Sequence, residues 1–265
     1  MAGTHRSRVT PEIIDCVQAL VDMQGQDPAE KALLGRVLFR GDEPPALAEL
    51  STGSRGVNRC FRYALTGGIQ AYHKPFEGLN DMVAQFYGHN GPTGQVEAWQ
   101  PVHEAAAWQL AKRLGAPWQQ IVCPCVMRVL DGRPGSLSQA SALAVKGGEV
   151  AGSAEFRAAA FFDVLAGQQD RNHGNFFTDG TGSVSLYDHG FCFAQPGDYA
   201  GACVLAKPFA GEDINDDERA VLVALLDSTD WFGMLKVLST TRALALADRA
   251  RRMLNLGVIL KPGDF

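Results

Sequence analysis

The sequence has no uninterrupted apolar run of membrane-spanning length, and residues 1–10 are polar where a secretory leader would carry an apolar core. A soluble, cytoplasmic protein without a membrane span is therefore expected. Basic charge is also scarce: 24 Lys and Arg stand against 29 Asp and Glu, for a net charge of −5 and a pI of about 5.7. This balance removes the electrostatic case for nucleic acid or an anionic membrane surface as partner. An anionic ligand must then be met by local charge. Six cysteines in 265 residues lack the dense spacing of a disulfide framework, so reduced thiols are expected. The close pair Cys123-Pro124-Cys125 reads as two buried thiols on one strand face, since no second ligand pair accompanies it to make a zinc site. Internal repeats and low-complexity tracts are absent as well.

What the chain does have is a 46% hydrophobic content, enough to bury one large or two modest cores. Residues 10–24 read as a helix, with Thr10 as cap, Pro11 in the first turn and an apolar stripe of Ile13, Val17, Leu20 and Val21. The break at 41–45 opens a β-rich region in which strands at 60–65 and 69–73 flank a Gly67-Gly68 hairpin turn. The segment 78–101 is rich in Gly, Asn and polar residues and reads as an insertion or loop, followed by a helix over 102–114. Residues 120–130 form a β-branched run ending in Asp131-Gly132-Arg133-Pro134-Gly135, a strand followed by a crossover. Helical patterns then dominate at 155–166, 217–226, 231–238 and 241–254. The expected class is α+β, with a helical extension at 1–50, a β-rich nucleotide-binding lobe at 51–131 and a helical catalytic lobe at 132–265.

Chemistry concentrates at Asp170-Arg171-Asn172-His173-Gly174-Asn175 and, thirteen positions on, Asp188 in Tyr187-Asp188-His189-Gly190. Short apolar runs at 176–178 and 184–187 flank Asp179-Gly180-Thr181-Gly182, which is a hairpin signal. Such a ribbon would start at Asn175 and finish at Asp188, bringing both oxygens to one mouth. Carboxylate and carboxamide oxygens suit Mg²⁺, which keeps several waters and needs few protein ligands. The plain alternative is that Asp170, Asn175 and Asp188 are ordinary turn residues, which Asn and Asp often are.

Three other segments read as ligand-binding candidates. Gly53-Ser54-Arg55-Gly56 precedes a strand, so its backbone N–H groups can approach phosphate, with Ser54, Arg55 and Asn58 as added donors; a plain surface turn has the same look. Lys74 closes the strand after Ala71, Tyr72 and His73, near that loop. Backbone groups at 127–130 could read an adenine edge at a hinge between lobes, with Val129 and Leu130 as apolar walls, or simply belong to a central strand and its exit turn.

Taken in order over residues 51–193, these elements resemble an atypical protein-kinase-like fold, nearest its HipA-like and phosphoinositide 3/4-kinase-like branch, whose catalytic loop opens Asp-Arg. The resemblance implies an ATP- and Mg-dependent kinase transferring phosphate to a hydroxyl. Asp170 would be the catalytic aspartate, Asn175 and Asp188 the metal ligands, Lys74 the phosphate-binding lysine and Glu104 its partner. Arg171 or His173 would steady the catalytic loop or the transferring phosphate, and Phe177 would lie beneath the adenine. The ATP site would thus comprise Gly53, Ser54, Arg55, Gly56, Asn58, Lys74, Glu104, Met127, Val129 and Phe177. The favoured acceptor is a protein Ser/Thr hydroxyl, as the HipA-like resemblance implies; a lipid or small metabolite, an ATP-binding pseudokinase and an adenylyl transferase are the alternative readings. The chain departs from the pattern in having His189 after the metal-binding Asp, Asn172-His173 in place of a leading His, and no Ala-Pro-Glu activation segment.

Overall fold

The computed structural model describes residues 9–41, 58–90, 95–148, 152–199, 201, 203–227 and 229–262, the last with backbone alone at 229–232. The chain divides into two compact units: Met1–Ala105 with Pro124–Ala140, and Ala106–Cys123 with Ser141–Phe265. It is a mixed α+β fold, with the sheet-rich unit drawn mainly from the N-terminal part and the helices concentrated in the C-terminal part.

The first unit holds helices α1 (Pro11–Met23) and α2 (Pro28–Leu33), strands β1 (Val37–Arg40), β2 (Phe61–Leu65) and β3 (Gln70–Pro75), and a short helix α3 (Asp81–Phe86). Helix α4 (Gln100–Leu114) begins here and ends in the second unit, and strands β4 (Cys125–Leu130) and β5 (Arg133–Gln139) return to the first. The five strands make one antiparallel sheet in the order β1-β2-β3-β5-β4. Alternation sends Phe61, Tyr63, Leu65, Ala71, Val126 and Leu137 to one face, where they bury with Leu33 of α2 and Leu130. Burial of each large side chain stabilises the sheet by about 1.5–3 kcal/mol. The β2–β3 turn uses Gly67 and Gly68 at φ 81° and 77°, the left-handed backbone that glycine adopts without Cβ strain.

Helix α1 starts as expected: the Thr10 hydroxyl accepts from the Ile13 N–H at 3.3 Å, and Pro11 opens the first turn. Its buried stripe is Ile13, Cys16 and Leu20, while Val21 faces outward. The segment 78–101 contains more order than a loop, because Asn80 accepts from the Val83 N–H at 3.2 Å and so caps α3.

The hinge expected at 127–130 is corrected by the pairing. Residues 125–130 and 133–139 form a closed hairpin turned by Asp131 and Gly132, and the chain passes to the second unit after Ala140. The Pro134-Gly135 pair, which reads as a crossover in sequence, lies within β5. Gly135 is needed there because a Cβ would meet the backbone of Lys74.

The second unit holds α5 (Trp118–Ile121), a three-stranded antiparallel sheet of β6 (Val145–Lys146), β7 (Phe176–Thr178) and β8 (Val184–Leu186), and helices α6 (Ala154–Ala166), α7 (Asp216–Asp227), α8 (Thr229–Val237) and α9 (Thr240–Leu256). Ser153 caps α6 by accepting from Phe156 N at 3.2 Å, and Gly167 at φ 60° ends it. Helix α6 is buried almost all round, against α5, β8 and α9. It is the central helix of this unit and delivers the chain directly into 168–175.

Candidate active site

Past Gly167, the loop is held by its own amides. The Gln168 side chain accepts from Asp170 N at 3.0 Å and donates to the Asp188 carbonyl at 3.2 Å, joining the two acidic segments. Asn172 donates from Nδ2 to Asp170 Oδ1 at 3.0 Å and accepts from Gly174 N at 2.7 Å. A Cβ on Gly174 would sit 2.8 Å from the Asn172 Oδ1, so glycine leaves room for this bond. Asn175 donates from Nδ2 to the Asp170 carbonyl at 2.7 Å and to Asp170 Oδ2 at 3.3 Å. Each oxygen of the Asp170 carboxylate therefore accepts from an amide, which orients it in advance.

The expected hairpin is present, with Phe176 opposite Leu186, Phe177 opposite Ser185 and Thr178 opposite Val184. Asp179 organises its turn by accepting from the N–H groups of Thr181 at 2.8 Å and Ser183 at 3.0 Å, and the Thr181 hydroxyl helps hold its carboxyl well below the usual range. At the open end, Tyr187 N donates to the Asn175 carbonyl at 3.4 Å, so Asn175 and Asp188 flank the same mouth of the ribbon. Asp188 adopts φ 59°, a left-handed backbone that costs an Asp on the order of 1 kcal/mol. After it, His189 is buried edge-on to Phe162, with ring centroids 5.8 Å apart at 87°. An aromatic ring is thus retained at this departure from the kinase pattern.

The donor set suits a hard divalent cation. The Asn175 nitrogen is committed to Asp170, which leaves Oδ1 as the end of the carboxamide able to meet a metal, and Asp188 adds a carboxylate. Among the described residues no group of three or more His, Cys, Asp or Glu is placed to hold a metal unaided. A magnesium ion here would complete its shell with water and phosphate oxygens.

Arg171 has two alternatives from sequence, and burial decides between them. Its side chain is wholly buried, so contact with a transferring phosphate is excluded. Nε and Nη2 make a bidentate pair with Asp163 at 2.8 and 3.0 Å, while Nη1 donates to the carbonyls of Asn175 and, at 2.5 Å, Tyr187. Burial disfavours the guanidinium charge, yet the Asp163 carboxylate outweighs it and raises the pKa further. Arg171 is a positioning residue that ties the backbone of Asn175 to that of Tyr187, next to Asp188, not a catalytic one. His173 is exposed, its ring tilted against Phe176.

In the first unit, Lys74 Nζ meets Glu104 Oε1 at 2.5 Å, with side-chain exposures of 16% and 2%. The pair joins the end of β3 to the first turns of α4. Lys74 is opposite Ser136 in the β3–β5 ladder. Other expected nucleotide contacts are otherwise engaged. Asn58 donates to Gln100 Oε1 and accepts from Asn80 N at 2.9 Å. The Met127 N–H and carbonyl are both taken by the Gln24 side chain, at 2.9 and 3.0 Å, so they do not read an adenine edge. Val129 is 62% exposed on the β4–β5 hairpin. Phe177 is half-buried and stacks on Tyr187, 4.9 Å away at 27°. Gly53, Ser54, Arg55 and Gly56 lie outside the described residues, in the connection between β1 and β2.

Sequence reading missed several residues that hold these groups: Gln168, Asn172, Asp163, Tyr187 and Gln24. Asp163 carried a usable signal, because a carboxylate within the apolar run Phe161-Phe162-Asp163-Val164-Leu165 must find a buried partner. The arginines of α9 carried none. Arg242 donates to the Phe193 carbonyl at 2.8 Å and pairs with Asp198 at 3.0 Å, and Arg249 donates to the carbonyls of Leu165 and Ala194 at 2.9 and 2.5 Å. Together they fasten the segment that follows Asp188. Burial lowers the Arg249 pKa to about 9.

No protein-family model matches the sequence, and no curated protein matches it. Among solved structures the chain is similar to the Golgi casein kinase with Mn/ADP bound, at TM-score 0.48 and 12% identity over 77% of this chain and 70% of that one. It is also similar to the Helicobacter pylori proinflammatory kinase CtkA, at TM-score 0.40 and 11% identity over 79% of this chain and 91% of that one. Likeness at these scores carries no conclusion about activity.

Proposed function

We propose that the chain is an ATP- and Mg-dependent phosphotransferase with an alcohol group as acceptor. The observation that carries this reading is the interlocked set at the ribbon mouth: Asp170 oriented by two amides, with the Asn175 amide turned so that its oxygen and the Asp188 carboxylate remain for a cation. The Lys74–Glu104 pair supports it, since the buried Glu104 holds a partly exposed ammonium ready for phosphate oxygens. Bound magnesium would neutralise developing charge on the phosphates. Asp170 orients the acceptor hydroxyl and takes its proton. Asn175 and Asp188 fix where the metal-bound phosphates lie, and Arg171 fixes Asn175 and Asp188.

Our preferred acceptor is a protein Ser or Thr, supported by the net charge of −5, which favours no anionic lipid surface. The Asp170-Arg171 opening of the loop supports the HipA-like and phosphoinositide-kinase-like branch in particular. Incubation with γ-labelled ATP, Mg²⁺ and a cell lysate tests the reading. Label should enter protein bands with wild type and not with Asp170→Ala. Equal labelling by both proteins would remove the mechanism, and an AMP-sized in place of a phosphate-sized mass gain would reassign the reaction.

A further inference from the structure

The ribbon mouth is acidic, and among the described residues its loop contributes no solvent-facing arginine or lysine. Asp170 and Asp188 supply two carboxylates, whereas the charge of Arg171 is buried against Asp163. A phosphoryl group passing Asp170 spreads negative charge over three oxygens and is stabilised by further positive charge beyond the metal.

Lys146 is placed to supply it. It lies on β6 opposite Phe177, its Cε is 3.8 Å from where a Cβ on Gly174 would be, and its ammonium is 6.0 Å from the Tyr187 ring centroid. Gly174 and Tyr187 are immediate neighbours of Asn175 and Asp188. Among the described residues no carboxylate pairs with Lys146, and its side chain is exposed. Nor is β6 a loosely laid strand. Gly147, at φ 70°, donates to the Phe176 carbonyl at 2.9 Å, and a Cβ there would collide with the His173 carbonyl. The backbone next to Lys146 is therefore pressed against the catalytic loop, and the ammonium is carried to the same mouth.

We propose that Lys146 is a second phosphate-binding cation, which contacts the γ-phosphate of ATP and stays with it during transfer. The inference rests on the phosphotransferase reading. In the step, the acceptor oxygen bonds to the γ-phosphorus while the bond from that phosphorus to the β–γ bridging oxygen breaks. The acceptor proton goes to Asp170, and ADP leaves with the electron pair. Lys146 exchanges no proton and offsets charge on the moving group.

Calorimetric titration with Mg²⁺ and the β,γ-imido analogue of ATP, and separately with Mg²⁺ and ADP, tests this without turnover. Lys146→Met should bind the analogue about tenfold more weakly and ADP within about twofold of wild type. Steady-state assays should show kcat lowered about 100-fold and the KM for ATP raised about tenfold, in step with the analogue, and Lys146→Arg should recover most of both. Equal effects on both nucleotides, or none on either, would overturn the role. Asp188→Ala separates the two levels of the argument. If Asp188→Ala loses affinity for both Mg-nucleotides while Lys146→Met does not discriminate between them, the Lys146 role alone fails. If Asp188→Ala binds both as wild type does, the metal-site reading fails and takes the Lys146 role with it.

Discussion

Lys74 and the 170–188 segment are held in opposite ways. In the sheet-rich unit, one ion pair joins residues 30 positions apart. In the helical unit, the acidic groups sit in a mesh of amide, carbonyl and guanidinium bonds drawn from residues 163–188, in which most members touch two others. The first arrangement supplies charge through a short ion pair. The second supplies geometry and distributes it. A loss in the first should therefore fall on stability and turnover together, while single losses in the mesh should separate them.

The largest effect is expected at the reacting groups. Asp170→Ala and Asp188→Ala should each lower turnover by about 10³-fold or more, with thermal unfolding little changed. Comparable turnover in either variant would remove the mesh from the chemistry. Lys74→Met comes next: leaving Glu104 buried without this ammonium should cost about 3 kcal/mol and lower Tm by several degrees. Adding Glu104→Leu should restore much of the Tm without restoring turnover, a double-mutant comparison that separates stability from charge supply. Arg171→Lys keeps a cation for Asp163 but loses the fork to it and the Nη1 bonds to the two carbonyls. It should raise the Mg²⁺ concentration required for half-maximal activity about tenfold and affect kcat less at saturating Mg²⁺.

The smallest expected effect concerns His73, buried on β3 beside Lys74, whose pKa is lowered chiefly by burial, against the upward pull of the Arg128 backbone and the Asp131 charge, with the charges of Arg133 and Arg128 adding downward. The folded state holds this ring neutral, so below the unfolded value of about 6.5 the unfolded chain takes up a proton that the folded chain refuses. Stability from this residue is present above pH 6.5 and declines as pH falls below it. Tm measured from pH 7.5 to 5.5 should show this slope, and His73→Phe should flatten it. An unchanged slope would mean that other groups dominate.

Much of the site was legible because its signals are local. The 170–175 spacing, the glycine-bearing turn at 179–182 and the alternation around it place Asn175 and Asp188 at one ribbon end with no need for distant contacts. The start of α1 at Thr10 was similarly local, set by a side chain accepting from an N–H three residues on. What escaped depends on pairing across the chain. Whether Met127 sits at a hinge or in a hairpin is decided by β5 and by Gln24, 103 residues away, and neither leaves a mark on 125–130. The burial of Arg171 likewise depends on Asp163 one helix earlier. An arginine beside a catalytic aspartate looks the same in sequence whether it faces phosphate or protein interior.

The carboxamide of Asn175 has two unlike ends, and the loop engages its nitrogen at Asp170. Exchanging that nitrogen for oxygen, the one-atom step to aspartate, would remove the hydrogens that Asp170 receives and set a third anion at the ribbon's opening. Such a loop would attract cations more strongly and aim them less well, so the proposed chemistry would draw on polarity at residue 175 and not on the number of oxygens there.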